Sequence, residues 1–280
     1  MASLEAHYSA SDIEARILAA LRTVGLDPEQ GITPEQLGAL DHFHTGGFQA
    51  SRELQELAQI RAEDRVLDIG AGLAGAARML AHSPGCRVDC VELTADYCTG
   101  AKLLNRLTGL QDRIEIHQAS ALALPFPDNS FDVVWMQNVG MNIADKRTLY
   151  AEVSRVLKQG GRFAFQEMTA GNDNATFYYP LPWASAPADN NLITAAAMQT
   201  ILDECGLVVD SFEDASTMIL NSPPPVSSAA ASVTPVVKET PAPQLGLSVF
   251  VDNLAEKATN ARRSLQEGQT SFVRGVFRAT

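Results

Sequence analysis

Cysteine, tryptophan and clustered positive charge are what this chain has least of. Its 280 residues hold four cysteines (Cys86, Cys90, Cys98, Cys205) and two tryptophans. Four thiols at irregular spacing, with no CxxC pair, exclude a disulfide scaffold and a cysteine-rich zinc site. They read as buried reduced thiols, which pack as small apolar side chains. Lys plus Arg number 21 against 33 Asp plus Glu, a formal charge of −12. A phosphate backbone is repelled on average by such a chain, and no Lys/Arg run builds the local patch that nucleic-acid binding needs. No stretch approaches the roughly 20 apolar residues that span a bilayer. The first 21 residues mix Glu5, Asp12, Glu14 and Arg16 with their apolar side chains, unlike a secretion signal. The expectation is a soluble, cytoplasmic protein with no nucleic-acid or membrane partner. With 46% hydrophobic residues, disorder of the whole chain is excluded.

What the sequence does contain is a change of period. Residues 1–62 repeat apolar residues at helical spacing. Ser11 or Asp12 caps a helix through Leu21, Pro34 opens a second after Thr33, and residues 48–60 form a third. From Arg65, apolar runs alternate with helical segments in the order of βαβ units. Strands are predicted at residues 66–69, 87–92, 114–118, 131–137 and 161–167, with helices between them. The fold class is therefore α/β, a mostly parallel, doubly wound, Rossmann-like sheet under a helical N-terminal cover. Residues 63–280 form the main domain, with a core at 63–169 and a cap at 170–250. Residues 221–246 hold six of the 14 prolines and read as a long loop. A last helix (250–267) and a last strand (270–278) close the chain.

The densest local signal is VLDIGAGLAGAARML. Gly70 and Gly72 follow the first strand and Ala74 starts a helix. Glycine permits a sharp turn and close backbone approach to a ligand, beside the free N–H groups of a helix start. Gly70, Gly72 and Gly75 match GxGxxG, and Glu92 lies where the ribose-binding acid of a dinucleotide site belongs. Asp68 separates the readings. A carboxylate there faces like charge in a pyrophosphate site, whereas a ligand with an ammonium or sulfonium gains from it. S-adenosylmethionine has that charge pattern.

VLDIGAG, CVELT, LPFPDNSFDVVW and VLKQGGRFAF, in this order and spacing over residues 65–167, resemble the class I S-adenosylmethionine-dependent methyltransferases. LDHFHTGGFQASRELQELA, YYPLPWA and NARRSLQEGQTSFVRGVF extend the resemblance to the small-molecule branch with sarcosine and dimethylglycine N-methyltransferases and UbiE-like enzymes. The resemblance implies that Asp68, Gly70 and Gly72 hold the methionine part of the cofactor, Glu92 the ribose, and Leu93 flanks the adenine. Relatives place an Asp on the adenine amino group where this chain has Ala119-Ser120-Ala121, so that role passes to the Ser120 hydroxyl and the Ala121 N–H. Gln137 and Asn138 fall beside the transferred methyl, Gln137 also within the cofactor site. The His of many relatives a few residues on is replaced in Val139-Gly140-Met141-Asn142. S-adenosylhomocysteine is the implied product, and a homodimer is left open.

Methyl transfer from a sulfonium is an in-line displacement that gains from alignment and exclusion of water and needs no metal. A base matters when the acceptor arrives protonated. Asp41, His42 and His44 lie just ahead of the core, and His44 is the first candidate for that base. Asp41 and His44, with Tyr178, Tyr179 and Trp183, are candidates to line the acceptor site, the aromatics by cation–π contact with a methylated amine. Arg262, Arg263 and Arg274 are candidates for an acceptor carboxylate. The bland readings stand beside these: helix capping by Asp41, solvated histidines and arginines, aromatic packing. The expected function is N-methylation of a small amine or amino acid derivative. The alternatives are O- or C-methylation of a hydrophobic ring compound, NAD-dependent oxidoreduction, and a non-catalytic cofactor-binding protein.

Overall fold

The computed structural model describes residues 12–38, 41–42, 44–172, 174–221 and 253–280. Ser11, most of the Pro-rich stretch and the start of the last predicted helix lie outside the described residues.

The N-terminal segment forms α1 (Ile13–Thr23), a four-residue α2 (Pro34–Leu37) and α3 (Gly47–Ala58). Gln36 Oε1 accepts the Thr33 N–H at 2.8 Å, one half of a capping box. The cap expected from Asp12 does not form: this residue is left-handed (φ 59) and its side chain bonds nothing at the helix start. Burial stabilises α1 instead. Ile13, Ile17 and Leu21 are buried with Tyr97, Leu103 and Leu104, each side chain contributing about 1.5 to 3 kcal/mol.

The core follows as β1 (Arg65–Ile69), α4 (Gly75–His82), β2 (Arg87–Glu92), α5 (Ala95–Leu107), β3 (Ile114–Gln118), β4 (Phe131–Gln137), α6 (Lys146–Val156) and β5 (Leu157–Ala170). Beyond it come α7 (Ala195–Glu204), β6 (Leu207–Asp214), α8 (Ser216–Asn221), α9 (Leu254–Gln266) and β7 (Thr270–Ala279). The seven strands lie in the order β3-β2-β1-β4-β5-β7-β6, parallel except for β7, which is antiparallel to both its neighbours. β5 runs past the predicted Glu167 because β7 pairs with it from Arg162 to Ala170. That long-range partner leaves no local trace in sequence.

One face of the sheet buries Val66, Val88, Val133 and Trp135 under α3 and α4. The other buries Leu67, Val134, Met136, Phe163 and Phe165 under α6 and α7. Strands covered on both faces read as near-continuous apolar runs, as these do. A smaller cluster of Met141, Met168, Leu181, Trp183, Leu265 and Phe272 makes the cap. The strand order reverses at β1, between β2 and β4, which is where open α/β sheets leave a crevice at their carboxyl ends. Cys86, Cys90 and Cys98 are buried free thiols, and Cys205 is half-buried and free. No helix among the described residues is long and apolar enough to cross a membrane.

Candidate active site

At the carboxyl end of β1, Gly70 and Gly72 have φ of 68° and 56°, a conformation only glycine adopts without strain. The Gly70 N–H donates to the Val91 carbonyl at 2.7 Å, which ties the turn to β2. Glu92 completes it. Its Oε2 accepts the Gly72 N–H at 2.9 Å and its Oε1 the Thr94 N–H at 2.8 Å. The Ala119 N–H donates to the Glu92 carbonyl at 3.0 Å, so the tip of β3, with half-buried Ser120 and Ala121, closes on the tip of β2, where Leu93 follows Glu92. Ser120 Oγ accepts the Leu122 N–H at 3.2 Å, which leaves its proton to donate.

Asp68 sits opposite Cys90 and Trp135 in the neighbouring strands. It is buried, and its Oδ2 has no hydrogen-bond partner. Burial, and secondarily the nearby Glu92, push its carboxyl up to about 8. A buried carboxylate oxygen without a donor is costly, and a cationic ligand against this turn supplies what is missing.

The third glycine of the GxGxxG pattern has a different task. A methyl group on Gly75 would lie 1.6 Å from the Asp41 carbonyl oxygen, so this glycine admits the N-terminal cover rather than a phosphate. The Asp41 carboxylate is held by the Arg78 guanidinium, whose Nε donates at 2.9 Å and whose Nη2 also bonds it. Arg78 donates further to Asn105 Oδ1 and the Leu73 carbonyl and is wholly buried. A pyrophosphate at the start of α4 would meet the Asp41 oxygens, which counts against a dinucleotide. Asp41 is thus neither a helix cap nor an acceptor ligand: its side chain is spent on Arg78.

His44 is corrected as well. Its Nδ1 lies 3.2 Å from the Thr45 carbonyl and its Nε2 lies 2.9 Å from Ser51 Oγ. A carbonyl only accepts, so Nδ1 carries the proton and the Nε2 lone pair faces the Ser51 hydroxyl, whose one proton goes either here or to Gln137 Oε1. Burial, and then His42, push it down to about 4, so it stays neutral, with both ring nitrogens facing groups of the protein. His42 Nδ1 reaches the same Ser51 Oγ at 3.2 Å. Gln137 faces this cluster: its Oε1 takes the Trp135 indole N–H at 2.9 Å with Ser51 at 3.2 Å, and its Nε2 donates to Gln166 Oε1 at 2.7 Å. Its side chain ties α3 to the sheet instead of meeting a cofactor.

The aromatics are occupied too. Tyr178 donates to Glu267 at 2.5 Å, and its ring face is covered by the protein's own Arg263 at 3.8 Å. Tyr179 Oη accepts from Asn190 Nδ2 at 3.1 Å, and the buried Trp183 donates to Asn190 Oδ1 at 3.1 Å. These contacts are all made within the protein. Arg274 is paired with Glu53 and Glu213, Arg263 with Glu267, and Arg262 donates to the Ile219 and Leu220 carbonyls. Of the acceptor-side candidates, Asn138 keeps an unspent group: it is left-handed (φ 55) at the end of β4, and its Oδ1 is buried without a partner.

Glu167, Lys146, Ser51 and Arg78 were missed by the sequence reading. A charge inside an apolar strand (GRFAFQEM) or helix (GAARMLAH) was the available signal, since such a charge is buried once the element packs.

The sheet order is that of a Rossmann-like, mostly parallel doubly wound fold, shared with solved class I methyltransferases. Residues 67–165 match the family model described as a methyltransferase domain. The glycine/sarcosine/dimethylglycine N-methyltransferase of Actinopolyspora halophila is 38% identical over 44% of this chain and 22% of its own length. The sarcosine/dimethylglycine N-methyltransferase of Halorhodospira halochloris is 35% identical over 41% of each. The aligned region thus spans well under half of these relatives. Geranyl diphosphate C-methyltransferase from Streptomyces coelicolor, crystallised with S-adenosyl-L-homocysteine, shares the fold, with a TM-score of 0.64, 18% identity, and coverage of 83% of this chain and 79% of that one.

Proposed function

We propose that this protein is an S-adenosylmethionine-dependent methyltransferase acting on a small molecule, with a small amine or amino acid derivative as the acceptor. The single observation that carries the reading is Asp68, a buried carboxylate with an unpartnered oxygen on a glycine turn at the strand-order reversal. The residues present fit this cofactor. Asp68, Gly70 and Gly72 would hold its cationic amino acid end, Glu92 its ribose hydroxyls, and Leu93, Ser120 and Ala121 its adenine. When bound, S-adenosylmethionine supplies an electrophilic methyl on a sulfonium, and S-adenosylhomocysteine leaves.

The chain's own task is orientation. Glu92 is locked to the turn by the Gly72 and Thr94 N–H groups, so the ribose is received by a group already in place. His44 is engaged with Thr45 and Ser51, and an amine acceptor that arrives neutral needs no base. Asn138, with its unspent Oδ1, is the candidate to orient it. The relatives named for glycine, sarcosine and dimethylglycine support nitrogen as the methylated atom. A second reading, O- or C-methylation of a hydrophobic ring compound, draws on the apolar cap of Met141, Met168, Leu181 and Trp183.

A thermal-shift comparison tests the cofactor. A ligand that binds only the folded state raises the melting temperature, so S-adenosylhomocysteine should do so and NAD should not. A shift with NAD alone would sink the reading. Labelled cofactor with sarcosine, ethanolamine and a phenol then separates nitrogen from oxygen acceptors.

A further inference from the structure

We propose that Glu167 is a positioning residue for methyl transfer: with Lys146 it holds the loop after β4 so that the amide oxygens of Asn138 and Asn142 stay available to the acceptor. The inference rests on the function proposed above and names a device within the same site.

Glu167 is wholly buried in β5. Its Oε1 accepts the N–H groups of Val139 and Gly140, each at 2.8 Å, and its Oε2 accepts that of Met141 at 3.3 Å. From the opposite polarity, buried Lys146 donates its Nζ protons to the carbonyls of Gly140 and Ile143. Three N–H groups and two carbonyls in and around the 3-10 turn Gly140–Asn142 are thus bonded by two charged side chains.

The loop so held borders the cofactor turn. Val139 Cγ2 lies 2.3 Å from where a Gly70 side chain would begin, so the loop and the glycine turn are in direct contact. Asn138 and Asn142 sit at the two ends of the held stretch, and the Oδ1 of each is buried without a partner. Burying two charged side chains is costly where apolar packing would stabilise the strand as well, so a buried Glu and Lys here call for a role in specifying shape. Two unspent acceptors beside the turn are suited to an acceptor bearing N–H or O–H groups.

The test compares Glu167→Gln with the unaltered full-length protein. Glutamine keeps the size but offers one acceptor oxygen, so either the Val139 and Gly140 pair or Met141 faces an amide N–H. With sarcosine, ethanolamine and a phenol as acceptors, KM should rise about tenfold or more, while the Kd for S-adenosylhomocysteine changes by less than about threefold. Lys146→Met should move KM in the same direction by less, and it carries the test if Glu167→Gln does not fold. An unchanged acceptor KM, a parallel loss of S-adenosylhomocysteine affinity, or no turnover of any acceptor by a protein that binds S-adenosylhomocysteine would overturn the positioning role. Failure of the unaltered protein to bind S-adenosylhomocysteine would instead overturn the function beneath it.

Discussion

Two buried carboxylates at the carboxyl edge of one sheet have opposite situations. Glu167 on β5 receives three backbone N–H groups, and burial, opposed by those bonds and by Lys146, sets it at about 7. Asp68 on β1 keeps an oxygen with no partner and is pushed further, to about 8. The same side-chain chemistry thus marks two different things. A buried acid whose bonds are all made within the protein is architecture, whereas one left short of a donor is a place for a ligand.

The sharpest way to break the comparison is Asp68→Asn. Removing the charge should weaken S-adenosylmethionine binding by about 2 to 3 kcal/mol, roughly 30- to 150-fold, because a charge-assisted contact is lost. Unchanged affinity by calorimetry would place the ligand elsewhere. The unliganded protein should respond in the opposite sense. Between the ordinary carboxylate range and pH 8 the folded state binds a proton at Asp68 that the unfolded chain has released, so stability falls as pH rises. Glu167 acts likewise up to about pH 7. His42 and His44, pushed down to about 4 by burial, act oppositely between 4 and 6.5. From pH 7 to 8, therefore, the melting temperature of the native protein should decline and that of Asp68→Asn should decline less.

Gly75→Ala sharpens the comparison from the side of the cover. The added methyl meets the Asp41 carbonyl, a backbone atom that cannot rotate away, so about 1 to 3 kcal/mol of stability should be lost. A fully native melting temperature would mean that the cover does not rest on the turn. The smallest effect belongs to Tyr178→Phe. Its hydroxyl and ring face are spent on Glu267 and Arg263 at the surface, so acceptor kinetics and cofactor affinity should both stay as they are. A raised acceptor KM would return this tyrosine to the acceptor site.

The legible parts of the molecule are those written locally. Strands β2, β3 and β4 fall at the predicted residues, and the glycine turn with Asp68 and Glu92 lies where the spacing put it. The other site candidates share a different property. Asp41, His44, Gln137 and Tyr178 are polar or aromatic groups next to the right segments, and each has partners that residue type does not announce: Arg78, Gln166 and Glu267 far along the chain, Ser51 and Trp135 close by. Residue type announces what a side chain can do, but only the fold tells whether its lone pairs and protons are already used.

From the sequence alone came the alternation of apolar runs, the turn that needs glycine, and an acid at each of two strand tips, because period and backbone freedom are properties of neighbours along the chain. The tertiary structure alone decided that Gly75 receives Asp41, that β7 lengthens β5, and that Glu167 is spent on a loop while Asp68 is not. Those outcomes depend on which groups meet across the sheet, and hydrogen bonding is satisfied in space.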